Sequence, residues 1–193
     1  MSLRRILVLS LGNKGEYSNT YHSAGHLVLQ DLQALLGPEQ PPFTVQRVGG
    51  KSALASIGPR YVLLQSPTTM NISGPWVAQA VKQEGRGDPA DVGIVLVHDD
   101  LEEQLGVVKT RDWNRSHRGH NGIKSVNQSL RWDPSRKWAR VSVGIGRPET
   151  REKANVSDFV LSKVSPAARD VFRTKGARGV LAAIDALEQK WTE

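Results

Sequence analysis

The chain has 193 residues, 38% of them hydrophobic, and a net charge of +7. That length suits one domain with a sizeable core, residues 1–193, and the alternation of strands and helices traced below makes it an α/β domain, three layers with helices flanking a twisted mixed central sheet. The absence of cysteine excludes disulfides, thiolate metal sites and a thiol nucleophile.

The N-terminal MSLRRILVLSLGN places two arginines before a short apolar run that ends in a Gly/Asn turn, which makes Arg4 to Leu11 a first buried strand rather than a leader. Ser23 to Leu36 follows as a helix with Val28, Leu32, Leu35 and Leu36 on one face, stopped by Gly37-Pro38. Phe43 to Val48, Ala53 to Ile57 and Tyr61 to Gln65 are expected as strands between Gly-containing turns. Ile72 to Glu84 is expected as a helix with Ile72, Trp76, Val77, Ala80 and Val81 inward. Val92 to Val97 is a continuous apolar run of the kind found in central strands covered on both faces. Strands at Leu105 to Thr110 and Ala139 to Ile145 flank a short helix at His120 to Leu130. Two helices, Val156 to Lys163 and Pro166 to Gln189, close the chain, the second weakened by Gly176 and Gly179. No apolar stretch approaches the roughly 20 residues that cross a membrane. The expectation is a soluble monomer, cytoplasmic in the first place and mitochondrial in the second.

Charge is concentrated. Lys109 to Arg151 holds eleven Lys or Arg against three acids, a net +8, which leaves −1 for the rest of the chain. Such a segment is the footprint of a polyanion binder, with Trp113, Trp132 and Trp138 interleaved as candidate stacking surfaces.

Four blocks carry groups suited to acid–base chemistry: LGNKGEYSNTYHSAG, SPTTMNISG, HDDLEE and SHRGHNG. His22, at the mouth of a helix, can act as a general base near neutrality. Asp99 follows a buried strand, where a carboxylate can orient an imidazole and stabilise its charged form. Asp100, Glu102 and Glu103 are expected in solvent, and His98 as a partly buried structural residue. Asn13, Asn71 and Asn121 each offer an amide that donates and accepts without ionising. His117 and His120 form H-x-x-H, which with His98 and Asp99 allows an alternative reading as a metal-dependent phosphoesterase. The surrounding amides suit water and an ester better, so no metal and no cofactor is expected.

These blocks, in this order and closed by RVSVGIGRP and DFVLSK, resemble the bacterial-type peptidyl-tRNA hydrolase family. The resemblance implies an esterase that frees tRNA from peptides, with peptidyl-tRNA as its partner. It implies His22 as the base, Asp99 as its support and Asn13 as the group distinguishing blocked from free aminoacyl ends. Asn71 and Asn121 would hold substrate and water, Tyr17 and Met70 would line the same cleft, and His120 would support Asp99 or Asn121. Lys109, Arg111, Arg118, Lys124 and Arg140 would face tRNA. Lys14 stands where the family usually has Pro, Ser23 where it has Asn, and Arg118 where it has Gly. The rival from another class is a non-catalytic RNA-binding relative of the same fold.

Overall fold

The computed structural model describes residues 3–86, 88–131, 133–148 and 152–193. Trp132 and Arg151 lie outside them. Seven strands form one mixed sheet: β1 (Arg5–Ser10), β2 (Thr44–Val48), β3 (Lys51–Ile57), β4 (Tyr61–Gln65), β5 (Val92–Asp100), β6 (Val108–Asp112) and β7 (Lys137–Gly144), in the order β2-β3-β4-β1-β5-β7-β6. β4, β1, β5 and β7 run parallel, while β2, β3 and β6 pair antiparallel at the two edges.

The central strands are apolar on both faces because helices cover both. Ile6, Val8, Val95, Val97 and Val141 point into one core with α1 (Ala24–Leu35), α5 (Pro166–Val171) and α6 (Ala177–Thr192). Leu7, Leu9, Ile94 and Leu96 point into the other, with α2 (Ser73–Glu84) and α3 (Asn121–Ser129). α4 (Lys153–Leu161) lies against the first core through Val160. None of the described helices is long and apolar enough to cross a membrane.

Several elements depart from the expectation. β5 continues through His98, Asp99 and Asp100, which pair with Ser142, Val143 and Gly144 of β7; polar side chains do not end a strand whose ladder has a partner. Leu35 and Ile72 are exposed rather than inward, because each lies at a helix end, past the turns that face the sheet. The last helix runs unbroken from Pro166 to Thr192, its backbone helical throughout, and widens through a π turn at Phe172–Gly176 between α5 and α6, with Gly176 set against Val28 of α1.

The candidate active site

Three helix beginnings converge on the carboxyl ends of β1 and β5, where open α/β sheets collect ligands. α1 can approach because residue 25 is glycine; a Cβ there would lie 2.7 Å from the Leu11 carbonyl oxygen and 2.9 Å from that of Val97. The preceding short turn, Tyr21–Ser23, carries His22 and is anchored by Tyr21, whose ring stacks on Phe159 at 4.8 Å. α2 is preceded by a similar turn, Met70–Ile72, and packs closely on α3 where Gly74 N–H donates to Ser125 Oγ at 2.9 Å. α3 is capped by His120, whose Nδ1 accepts from Ile123 N–H at 3.3 Å.

Asp99 sits at the centre, only 2% exposed. His22 Nδ1 lies 2.9 and 3.0 Å from its two oxygens, and His120 Nε2 lies 2.9 Å from Oδ1. The cap fixes one tautomer: His120 Nδ1 accepts, so its Nε2 carries the proton and donates to Asp99. His22 donates through Nδ1, which leaves its Nε2 lone pair available to a water. Burial disfavours a charged imidazole, but the Asp99 charge and hydrogen bond outweigh it, and the pKa of His22 is raised. Burial likewise works against ionised Asp99, yet His22 and then His120 hold its carboxyl well below the usual range. A buried carboxylate without such partners would cost several kcal/mol.

Around this group lies a cleft of about 610 Å³, lined by Asn13, Tyr17, Met70, Asn71 and Asn121 as well as the two histidines. Asn13 bridges two loops: its N–H donates to Ser23 Oγ at 2.9 Å and its Oδ1 accepts from Met70 N–H at 2.9 Å. Ser23 Oγ in turn donates to the Tyr17 carbonyl at 2.8 Å, so the serine standing at the family's Asn position ties the Tyr17 turn to Asn13. Asn71 and Asn121 are exposed at the rim, whereas Met70 is buried, its sulfur facing Gly122 where a Cβ would overlap it.

Other candidates are placed differently. His117 stays out of the Asp99 cluster and caps its own turn, accepting from Gly119 N–H at 3.0 Å. Among the described residues the ligand atoms close enough to converge on an ion, within 4.8 Å, belong to His22, Asp99 and His120; the quartet of His98, Asp99, His117 and His120 does not assemble. His98 is buried rather than partly so, with Nδ1 on the Asp99 carbonyl at 2.8 Å. Burial and the neighbouring His120 bring its pKa down to about 3. Asp100 and Glu103 are not free in solvent, since Arg111 reaches them at 3.2 and 2.6 Å; Glu102 is exposed and paired with Arg147.

The basic residues divide. Arg118 and Lys124 are exposed and make no ion pair with any described residue, and Lys109 is half-exposed and paired with Glu103 at 2.9 Å. Arg111 is clasped between Asp100 and Glu103, and Arg140 is 3% exposed, its guanidinium spent on the carbonyls of Asp112 and Arg115. Burial, with Arg111 and Arg115 nearby, lowers the Arg140 pKa to about 10. Both are braces of the cleft wall rather than free phosphate contacts, because each guanidinium already has protein acceptors. Trp113 is buried in the core, and the half-buried Trp138 packs against it with ring centroids 4.7 Å apart and the planes tilted by 46°. Arg118 has φ +47°, the left-handed conformation a glycine adopts at no cost.

Two residues escaped sequence reasoning. Arg115 is exposed and lines the cleft without an ion pair among the described residues. His26, buried in the first turn of α1, was signalled only by its isolation in the apolar AGHLVL.

The profile of the peptidyl-tRNA hydrolase family matches residues 7–193. A peptidyl-tRNA hydrolase of Anaeromyxobacter dehalogenans is 39% identical over 161 residues, covering 81% of this chain and 77% of that protein. One from Kineococcus radiotolerans is 36% identical over 168 residues, covering 82% and 79%. The crystal structure of peptidyl-tRNA hydrolase from Acinetobacter baumannii has the same fold, with a TM-score of 0.71 over 99% of this chain and 96% of that one at 24% identity. A Gly-rich β1 exit, a histidine at the mouth of α1 and an aspartate ending β5 thus meet in one cleft in a chain that belongs to the peptidyl-tRNA hydrolase family.

Proposed function

We propose that the protein hydrolyses the ester between the C-terminal carbonyl of a peptide and the terminal ribose of tRNA, with His22 as general base. The observation that carries this reading is the His22–Asp99–His120 group at the floor of a cleft ringed by three asparagines. His22 Nε2 takes a proton from water as the water's oxygen attacks the carbonyl, and Asp99 steadies the imidazolium that results. The oxyanion is received by the Asn71 amide together with backbone N–H groups. When the tetrahedral intermediate collapses, the ester C–O bond breaks and the proton passes from His22 to the ribose oxygen, giving tRNA with a free hydroxyl and the peptide acid, which loses its remaining proton to solvent. Asn13, with its Oδ1 committed to Met70 N–H, has its Nδ2–H2 left to donate to the acyl carbonyl oxygen that a blocked α-nitrogen carries and a free one lacks, and Asn121 fixes substrate and water.

His120 is a positioning residue: it donates to Asp99 and keeps the carboxylate in one orientation for His22. Arg115, Arg118 and Lys124 supply the phosphate contacts, and the chain acts as one catalytic unit, as a monomer in the compartment where translation occurs. A non-catalytic RNA binder has no use for a buried carboxylate flanked by two imidazoles, whose desolvation must be offset by specific geometry.

The test is hydrolysis of an N-acetylated aminoacyl-tRNA beside its unblocked counterpart, each with and without chelator. The reading requires turnover of the blocked substrate, discrimination against the free one, and indifference to chelator. Chelator-sensitive activity would favour metal chemistry on His22, Asp99 and His120, and no turnover at all would favour the binder.

A further inference from the structure

The wall behind the three asparagines contains an imidazole that the mechanism does not use. His26 is 6% exposed and belongs to the first turn of α1, one turn beyond His22. Its two nitrogens are both engaged, each with a different loop. Nε2 lies 3.2 Å from the Ser66 carbonyl, at the start of the segment leading to Met70 and Asn71. A carbonyl only accepts, so Nε2 carries the proton and Nδ1 is the lone pair. Nδ1 then accepts from Ser10 Oγ at 2.7 Å, at the end of β1 and three residues ahead of Asn13.

The ring also touches the β1 exit directly. A Cβ on Gly12 would lie 2.7 Å from both Cγ and Nε2 of His26, so the imidazole is flush against the backbone immediately before Asn13. His26's own carbonyl accepts from Gln65 Nε2 at 3.0 Å, and Ser66 N–H donates to the Ser10 carbonyl at 3.1 Å. One side chain thereby touches both loops whose tips are joined by the Asn13–Met70 hydrogen bond.

The geometry points to His26 as a positioning residue for the reaction, setting the separation of the Asn13 loop and the Met70–Asn71 loop and hence the place of the ester between them. This inference rests on the esterase reading given above. Burial, which outweighs the hydrogen bond to Ser66, lowers the His26 pKa to about 4, so the ring is neutral in working conditions and its two hydrogen bonds keep their directions. No ionised side chain hydrogen-bonds to it: its partners are a hydroxyl and a carbonyl. A leucine of similar bulk would fill the space without holding either loop. Displacing a substrate-orienting group by about 1 Å costs up to about 10² in rate, and that cost falls on kcat when tRNA is gripped elsewhere.

The experiment measures kcat and KM of the full chain on an N-acetylated aminoacyl-tRNA for His26→Leu, His26→Gln, Asn13→Ala and the His26→Leu/Asn13→Ala pair. His26→Leu is expected to lower kcat by roughly 10- to 100-fold with KM within about threefold. His26→Gln, whose amide can reach the same partners, should recover much of the loss. The double variant should be little worse than Asn13→Ala alone, because residues acting through one another are not additive. Near-wild-type kcat in His26→Leu, or fully additive losses in the pair, would overturn the proposal. Should His26→Leu not fold, Ser10→Ala serves in its place and must lower kcat non-additively with Asn13→Ala. If wild type turns over and Asn13→Ala is as fast, the positioning role falls while the esterase reading stands. An inactive wild type sinks both.

Discussion

The floor of the cleft and its rim are built on opposite principles. On the floor, Asp99 is 2% exposed and holds two imidazoles within 3.0 Å; every charge there has a partner and a fixed direction. On the rim, Arg115, Arg118 and Lys124 are exposed and have no ion pair among the described residues. Buried, mutually oriented groups can stabilise a developing charge because little reorganisation is needed when it appears. Exposed unpaired cations are free to take phosphates wherever a flexible polyanion presents them, at the expense of salt sensitivity. On the function proposed, rate belongs to the floor and affinity to the rim.

The largest expected effect tests the floor. His22→Ala should lower kcat for N-blocked aminoacyl-tRNA by about 10²–10⁴ with KM and thermal stability nearly unchanged, measured by steady-state kinetics and calorimetry. Turnover near that of wild type would remove His22 as the base.

The rim should respond in KM. Arg118→Glu with Lys124→Glu is expected to raise KM for tRNA substrates about tenfold at low salt, leaving kcat on a short aminoacyl-ester substrate within about twofold. Lys109 and Arg111 are poorer choices than their place in the sequence suggests, because both are tied to Glu103 and Arg111 also to Asp100; reversing Arg111 would set a third carboxylate beside two others. Equal salt dependence for long and short substrates would mean that the rim is only a solvated surface.

A smaller effect separates His26 from His22. Its folded pKa of about 4 lies below the ordinary 6.5, so the unfolded chain binds a proton that the folded one refuses. Stability should therefore fall as pH drops from 6.5 toward 4, by up to about 3 kcal/mol from this group. His22, with its raised pKa, acts in the opposite sense: its contribution is full below the ordinary value and fades as pH rises through the folded one. Urea unfolding across this range should be shallower in His26→Gln by about 1.4 kcal/mol per pH unit. Identical slopes would show that His26 is not buried neutral.

Much of this architecture was legible because it is written in local pattern. The run Val92 to Val97 has the continuous apolar pattern of a central strand covered on both faces, and the apolar stripe that follows His22 marked a helix start. The helix ends were less legible: Leu35 and Ile72 fit an apolar stripe in sequence but fall beyond the turns that touch the sheet. The π turn at Phe172–Gly176 has no local signature beyond Gly176, since the packing against Val28 that accommodates it is tertiary. At the site, residue types and spacing named His22, Asp99 and the asparagines, helped by the family likeness. Partnership was hidden, because an arginine in a basic segment looks the same whether it reaches solvent, as Arg118 does, or braces a buried turn, as Arg140 does. Trp113 was misread as a stacking surface for the same reason: its burial comes from packing against Trp138 of β7, which its own neighbours in sequence do not show.

The central claim is that Asp99 makes His22 a base by holding its Nδ1 proton, and the pH profile of kcat/KM for wild type and Asp99→Asn tests it most directly. In the wild type, activity appears as His22 loses its proton at a pKa raised by Asp99, so removing the carboxylate's charge should move the acid limb to lower pH while the plateau rate falls. An acid limb and a plateau both unchanged in Asp99→Asn would contradict the account.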